Sequence, residues 1–327
     1  MPSKADQISN LKHLHSAQVQ VSQISNLLVI VGPTAVGKTA LAIDLAQSLE
    51  GEIVSADSRQ IYRGMDIGTA KPTRQEQSRA PHHLIDILAP DEPYTLAQFQ
   101  SDAYAAIDDI LARGKLPLLV GGTGLYVRAV VEGLRIPRVP PNEELRAQLA
   151  AQNSLALYER LRGLDPDAAA RIDPRNVRRT VRALEVCLTT GRRFSELGRA
   201  SPPPYRITQI GLTMNRPELY ARVDARVERM MEQGLVAEVE ALVRQGYGWN
   251  LPSMSGLGYR EMGAYLRGEV PLDEAVMNIK RNTRDFVRRQ YAWFRLKDER
   301  IRWFGGADVD PVMRFVEIVK RQAENHL

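Results

Sequence analysis

The segment Gly32-Pro33-Thr34-Ala35-Val36-Gly37-Lys38-Thr39 constrains the fold of this chain more than any other stretch. It follows the apolar run Asn26 to Val31 and precedes KTALAIDLAQSL, in which Leu41, Leu45 and Leu49 recur every fourth residue. A buried strand, a glycine-flanked turn and a helix packed on the sheet form the setting in which G-x-x-x-x-G-K-[ST] wraps phosphate oxygens. The glycines let backbone N–H groups close on an anion, and the helix N-terminus adds its dipole. Lys38 reaches terminal phosphates, and the Thr39 hydroxyl is a ligand for Mg2+.

The rest of the pattern fits a sheet around that turn. Glu52 to Ala56 and Leu116 to Val120 read as strands, Leu84 to Leu88 as a further one, and Thr95 to Ala112 as a helix. Alternation of strand, glycine-rich turn and helix implies an α/β core with a largely parallel sheet. Ligands on such sheets bind beyond the C-terminal strand ends, where Gly32, Asp57 and Gly121 fall. Arg135 to Pro141 and Ser201 to Pro204 break regular structure, and between them the pattern is helical. We therefore expect a helical insertion over 142–200, a core built from 26–141 and 201–327, and a loosely ordered leader over 1–25. Arg206 to Leu212 and Ile301 to Phe304 read as strands. Pro217 to Val243 (with Gly234 as its weak point), Pro271 to Phe294 and Pro311 to Ala323 read as helices, so the C-terminal region is helix-rich.

Composition narrows the function classes. Apolar residues make up 44% of the 327, which excludes wholesale disorder. Cys187 is the only cysteine, so an internal disulfide and a four-cysteine zinc site are excluded, and a reducing cytoplasm is the expected setting. No early apolar run approaches the length of a membrane span. The net charge of +5 is unevenly spread: Arg171–Arg206 and Val276–Arg302 each carry +6, leaving −7 elsewhere. Lys280, Arg284 and Arg288 share one helix face, and like charges at that spacing destabilise a helix unless an anion offsets them. A phosphate backbone would be such an anion; a merely solvated face is the alternative.

The residues alone leave the cradle's ligand open. An ATPase or kinase needs an acid at a second strand end, yet Leu116–Val120 runs into Gly121-Gly122-Thr123-Gly124. Asp57 is the nearest acidic candidate, although an aspartate at a strand end also caps turns. His82 and His83 point to opposite faces of a strand, which disfavours joint metal ligation. An NTP-driven nucleic-acid kinase and a non-catalytic RNA-binding protein both remain compatible with these features.

GPTAVGKT at 32–39, DSRQIY at 57–62, HHLID at 82–86, GGTGLY at 121–126, RALEV at 182–186, GLGYRE at 256–261 and RRQYAWFR at 288–295 resemble the bacterial tRNA dimethylallyltransferases, also called tRNA isopentenyltransferases. The resemblance implies a P-loop kinase-like core whose helical insertion contacts tRNA, in a cytoplasmic monomer that needs no membrane. It implies transfer of the dimethylallyl group of dimethylallyl diphosphate to N6 of adenosine 37 beside the tRNA anticodon, with release of diphosphate and use of Mg2+. Whether ATP also enters the cradle stays open.

The same resemblance assigns residues. Asp57 is the base that meets the N6 amine, with Thr123 opposite. Gly32, Thr34, Ala35, Val36, Gly37, Lys38 and Thr39 hold the diphosphate with Arg222 or Arg226, and Thr39, alone or with Asp57, holds Mg2+. Contacts to tRNA are expected from Asp57, Ser58, Arg59, Gln60 and Thr123, from Arg146, and from Arg178, Arg179, Thr180, Val181 and Arg182. They are also expected from Ser255, Gly256, Leu257, Gly258, Tyr259 and Arg260, and from Lys280, Arg284, Arg288, Arg289, Gln290 and Arg295. Two departures stand out: many members have threonine where Ala292 stands, and some have a charged or amide side chain near Ser255. The same transfer to a free adenine nucleotide would share the P-loop and Asp57, but would have no use for the insertion and two basic blocks.

Overall fold

The computed structural model describes residues 27–137, 139–197, 200–306 and 308–324, so the leader expected over 1–25 lies outside the described residues. The chain forms two compact units. One comprises the described residues of Met1–Tyr94, Ser101–Val127 and Pro204–Leu327, and the other Thr95–Gln100 and Arg128–Pro203.

The first unit is built on a six-stranded sheet of β1 (Leu27–Val31), β2 (Gly51–Ser55), β3 (His82–His83), β4 (Leu116–Gly121), β5 (Ile207–Thr213) and β6 (Ile301–Gly305). Their order is β3-β2-β4-β1-β5-β6, and every pairing is parallel. Both faces of a parallel sheet are covered, and LLVIV of β1 and LPLLVG of β4 are buried throughout. Register then places the site. Val31 lies opposite Gly121 and Gly211, and Ser55 opposite Val120. The turns that follow β1, β2 and β4 therefore gather at one end of the sheet.

Helix α1 (Lys38–Ser48) buries Leu41, Ala42, Ile43, Leu45 and Ala46 against the sheet. Between β2 and β4 run the short α2 (Arg74–Arg79) and then α3 (Leu96–Ala112), and α4 (Gly124–Val131) follows β4. The expected strand over Leu84–Leu88 does not form. Leu84 at φ 61 and Asp86 at φ 56 sit in the left-handed region, which no strand tolerates, and the pairing falls on His82–His83 instead.

The second unit holds α5 (Glu143–Ala150), α6 (Ser154–Leu164), α7 (Pro166–Ala169), α8 (Val177–Thr190) and α9 (Phe194–Leu197). Leu149, Leu157, Leu161, Ile172 and Leu184 form its core. Glu185 is buried inside it and accepts from Asn142 N–H (2.8 Å), Arg146 and Arg182. Burial would raise this carboxyl, but the Asn142 N–H and the two guanidiniums outweigh burial and hold it below its ordinary value. Segments outside 142–200 join the unit through hydrogen bonds: Gln100 Nε2 donates to Ala129 O and Leu134 O, and Ser201 N–H donates to Gly133 O.

After β5, the helical stretch expected over Pro217–Val243, with Gly234 as its weak point, is two helices, α10 (Arg216–Glu232) and α11 (Leu235–Arg244). Gly234 at φ 95 breaks it, a conformation that costs glycine little. Next come α12 (Tyr259–Leu266), the long α13 (Leu272–Trp293) and, after β6, α14 (Val309–Glu324). No helix among the described residues is long and apolar enough to cross a membrane.

Candidate active site

The loop between β1 and α1 closes through three left-handed residues, Gly32 (φ 146), Ala35 (φ 65) and Gly37 (φ 106). A Cβ on Gly32 would lie 2.6 Å from Leu212 O, so only glycine fits where the loop leaves the sheet. Val36 is buried, whereas Thr34, Ala35, Gly37, Lys38 and Thr39 stay partly accessible. Lys38 Nζ donates to Pro33 O at 2.8 Å.

Thr34, Lys38 and Thr39 line one cleft with Asp57, Gln60 and Arg226, while Ala42, Ile53, Val120 and His82 complete its wall. Arg226 enters from α10 and donates to Thr34 Oγ1 (3.2 Å) and Thr69 O (3.4 Å). Arg222, one turn earlier, is exposed and pairs with Glu218 at 3.2 Å. Of the two arginines left open by the sequence, the structure brings Arg226 into the cleft and Arg222 does not reach it.

Two cations thus face each other with Asp57 as their nearby counter-charge. Burial, reinforced by Arg226 and opposed by Asp57, lowers Lys38 to about 7. Burial also pulls Arg226 below its ordinary value, with Asp57 opposing and Arg229 adding to the fall. A polyanion entering the cleft would relieve both.

Asp57 sits two residues beyond β2, and its Oδ1 accepts from Arg59 N–H at 2.9 Å, so it caps its own turn as well as lining the cleft. The turn after β4 is stitched to it. Ser58 N–H donates to Thr123 Oγ1 (3.2 Å), and Thr123 N–H donates to Ala56 O (3.4 Å). A Cβ on Gly121 would stand 2.2 Å from Ala56 O, which is why glycine follows Val120.

The expected tRNA residues divide sharply. Arg178, Arg179, Arg260, Arg288, Arg289 and Arg295 are exposed, with Arg288 held by Asp285 and Arg260 by Glu261. Arg59 donates to Ser255 Oγ (3.2 Å), which joins two of the expected positions. Gln60 lines the cleft and donates to Ala70 O at 3.2 Å. Thr180, Val181, Gly256, Gly258 and Tyr259 are buried, and Leu257 is half-buried. Tyr259 OH donates to Glu238 Oε1 at 2.7 Å, so its hydroxyl serves the fold. Arg146 and Arg182 serve the Glu185 knot. The charge argument for α13 is corrected: Lys280 pairs with Glu228 and Arg284 with Asp224, so α10 supplies the anions that a phosphate backbone was expected to supply.

Gln290 is 3% exposed, and its amide spans from the loop to the β4 turn. The sequence grouped it with the surface cations around it. The available signal was Gly122, whose Cβ would fall 2.2 Å from Gln290 Nε2. His82 was also missed as a wall residue; its Nδ1 donates to Ala80 O (2.7 Å), and burial lowers its pKa. His83 instead meets Glu52 at 2.8 Å. Among the described residues no three His, Cys, Asp or Glu side chains cluster as a metal site. Cys187 is buried, which raises its thiol pKa.

A glycine-flanked loop gripping a lysine, set on a parallel sheet beside a strand-end aspartate, defines a P-loop-like α/β protein with a cleft at the C-terminal ends of its strands. The family model of the IPP transferases matches residues 60–297, and that of the isopentenyl transferases residues 25–85. The chain belongs to the IPP transferase family. It is 60% identical over 273 residues to the tRNA dimethylallyltransferase of Roseiflexus castenholzii, covering 82% of this chain and 89% of that one. Against the enzyme of Herpetosiphon aurantiacus identity is 55% over 279 residues, covering 84% and 89%. Among solved structures, the full-length tRNA isopentenylpyrophosphate transferase of Bacillus halodurans is similar at TM-score 0.69 and 42% identity, covering 91% of this chain and 98% of that one. A eukaryotic dimethylallyltransferase solved acting on tRNA reaches TM-score 0.77 at 26% identity, covering 91% and 79%.

Proposed function

We propose that this chain transfers the dimethylallyl group from dimethylallyl diphosphate to N6 of adenosine 37 in the tRNA anticodon loop. The observation that carries the reading is one cleft that joins Lys38, Thr39 and Arg226 to Asp57. The adenine amine is a weak nucleophile because its lone pair is delocalised into the ring. The reaction therefore depends on stabilising the departing diphosphate and on orienting the amine.

The loop N–H groups, Lys38 and Arg226 receive the negative charge that grows on the bridging oxygen as the C1–O bond breaks. Such donors favour the transition state over the ground state. As the N6–C1 bond forms, the amine proton passes to the Asp57 carboxylate, which orients the amine beforehand. Thr123, whose hydroxyl accepts from Ser58 N–H at the β4 turn, would give the adenine a second bond. A base stacked in a folded loop must leave the stack to reach such a cleft.

The Thr39 hydroxyl and the Asp57 carboxylate suit Mg2+, which takes one or two protein oxygens and fills its shell with water and phosphate. Bound there it supplies charge neutralisation to the diphosphate. The exposed Arg178, Arg179, Arg289 and Arg295 are the groups proposed to meet tRNA phosphates.

Unmodified tRNA incubated with dimethylallyl diphosphate and Mg2+ tests the reading. One dimethylallyl group is expected on one adenosine per tRNA, with an equal amount of diphosphate released. Phosphate release from ATP without prenyl transfer would refute it.

A further inference from the structure

We propose that Gln290 is a positioning residue that holds the diphosphate loop in register with the acceptor turn, not a contact for tRNA. The inference rests on the proposed transfer for its purpose, and on geometry for its substance. Gln290 lies one turn before the end of α13, 3% exposed, while its neighbours Arg288 and Arg289 face solvent. Thr34 N–H donates to its Oε1 at 2.8 Å, and its Nε2 donates to Gly122 O at 3.1 Å. Each end of the amide meets the partner it needs; a flipped amide would set donor against donor and acceptor against acceptor.

The two anchored residues are not interchangeable with others. Thr34 is the loop residue whose hydroxyl accepts from Arg226, so fixing its backbone also fixes the arginine that faces the leaving group. Gly122 precedes Thr123, and a Cβ there would be 2.2 Å from Gln290 Nε2 and 3.5 Å from Gly32 O. One side chain therefore sets the spacing between the loop after β1 and the turn after β4. It does so before any substrate arrives, which is the condition for a site that need not reorganise during the reaction.

Gln290→Met keeps the volume and removes both hydrogen bonds. Binding of inorganic diphosphate with Mg2+, measured without tRNA, is expected to weaken about tenfold, the effect of a lost hydrogen bond and an orphaned N–H. Affinity for unmodified tRNA is expected to stay within about twofold. In turnover, the KM for dimethylallyl diphosphate rises and kcat falls together. Gln290→Asn, one methylene too short to span both partners, is expected to show the same split and carries the test should the methionine variant not fold. Unchanged diphosphate affinity, whether tRNA binding weakens or only thermal stability falls, would overturn the proposal. Diphosphate binding is read without transfer, so a parent protein that failed to prenylate tRNA would sink the proposed function and leave this result standing.

Discussion

Replacing Lys38 with methionine removes a charge and little length, and its consequences can be worked from the cleft. Burial, then Arg226, with Asp57 opposing, brings Lys38 from 10.5 to about 7. At about 1.36 kcal/mol per pH unit, that fall corresponds to at most about 5 kcal/mol held against the charged form. The side chain is only partly buried, so water screens part of this and about 2 to 4 kcal/mol remains. Below pH 7 the lysine is protonated in both folded and unfolded chains, and the whole penalty weighs on the fold. Between pH 7 and pH 10.5 the unfolded chain holds more protons than the folded one, so this group's contribution to stability rises with pH and the penalty is gone above 10.5. After about 1 kcal/mol for the lost hydrogen bond to Pro33, Lys38→Met should be more stable than the parent by about 1 to 3 kcal/mol at pH 6. That advantage should narrow steadily toward pH 9. Urea unfolding of the donor-free proteins at both pH values, with unchanged slope, reads the difference. The same variant should bind inorganic diphosphate far more weakly. A variant less stable than the parent at pH 6, or shifted equally at both pH values, would refute a strained cation in the cleft.

Four further outcomes follow from the structure. Asp57→Asn should cut prenyl transfer by about a hundredfold or more while tRNA affinity stays within a few-fold, read by single-turnover kinetics and filter binding. Arg226→Ala should raise the KM for dimethylallyl diphosphate by about tenfold or more, whereas Arg222→Ala, exposed and paired with Glu218, should leave it within about twofold. Replacing Arg178 and Arg179 together by alanine should reduce the slope of log affinity for tRNA against log salt by about 1.4 to 1.8. Arg182→Ala should instead lower thermal stability, because it uncovers the buried Glu185.

The catalytic half of the fold was legible because its signals are local. A phosphate loop needs glycine where φ is positive, a lysine at the helix start and an apolar strand before it, and all of these lie within a dozen residues. The break at Gly234 was visible for the same reason. The segment after His83 was not, since nothing in an apolar run announces that Leu84 and Asp86 will turn left-handed. The choice of Arg226 over Arg222 was equally out of reach. The two are one helical turn apart, and only the packing of α10 over the loop decides which guanidinium meets Thr34.

The charge on α13 shows why a net count over a window misleads. Lys280, Arg284 and Arg288 do share a helix, and their repulsion does call for anions. Two of those anions come from α10, with Glu228 and Asp224 lying 52 and 60 residues earlier in the chain. The third, Asp285, is one turn away on α13 itself. A helix that carries its own counterions does not need RNA in order to fold. Partly exposed pairs of this kind contribute at most about 1 kcal/mol each, so a tRNA phosphate could displace a carboxylate at little cost. Reading the sequence, the basic block and the anion it serves looked like one fact. In the structure they are two: internal pairing offsets the repulsion along the helix, and the arginines left exposed beside it are the ones proposed above to meet a polyanion.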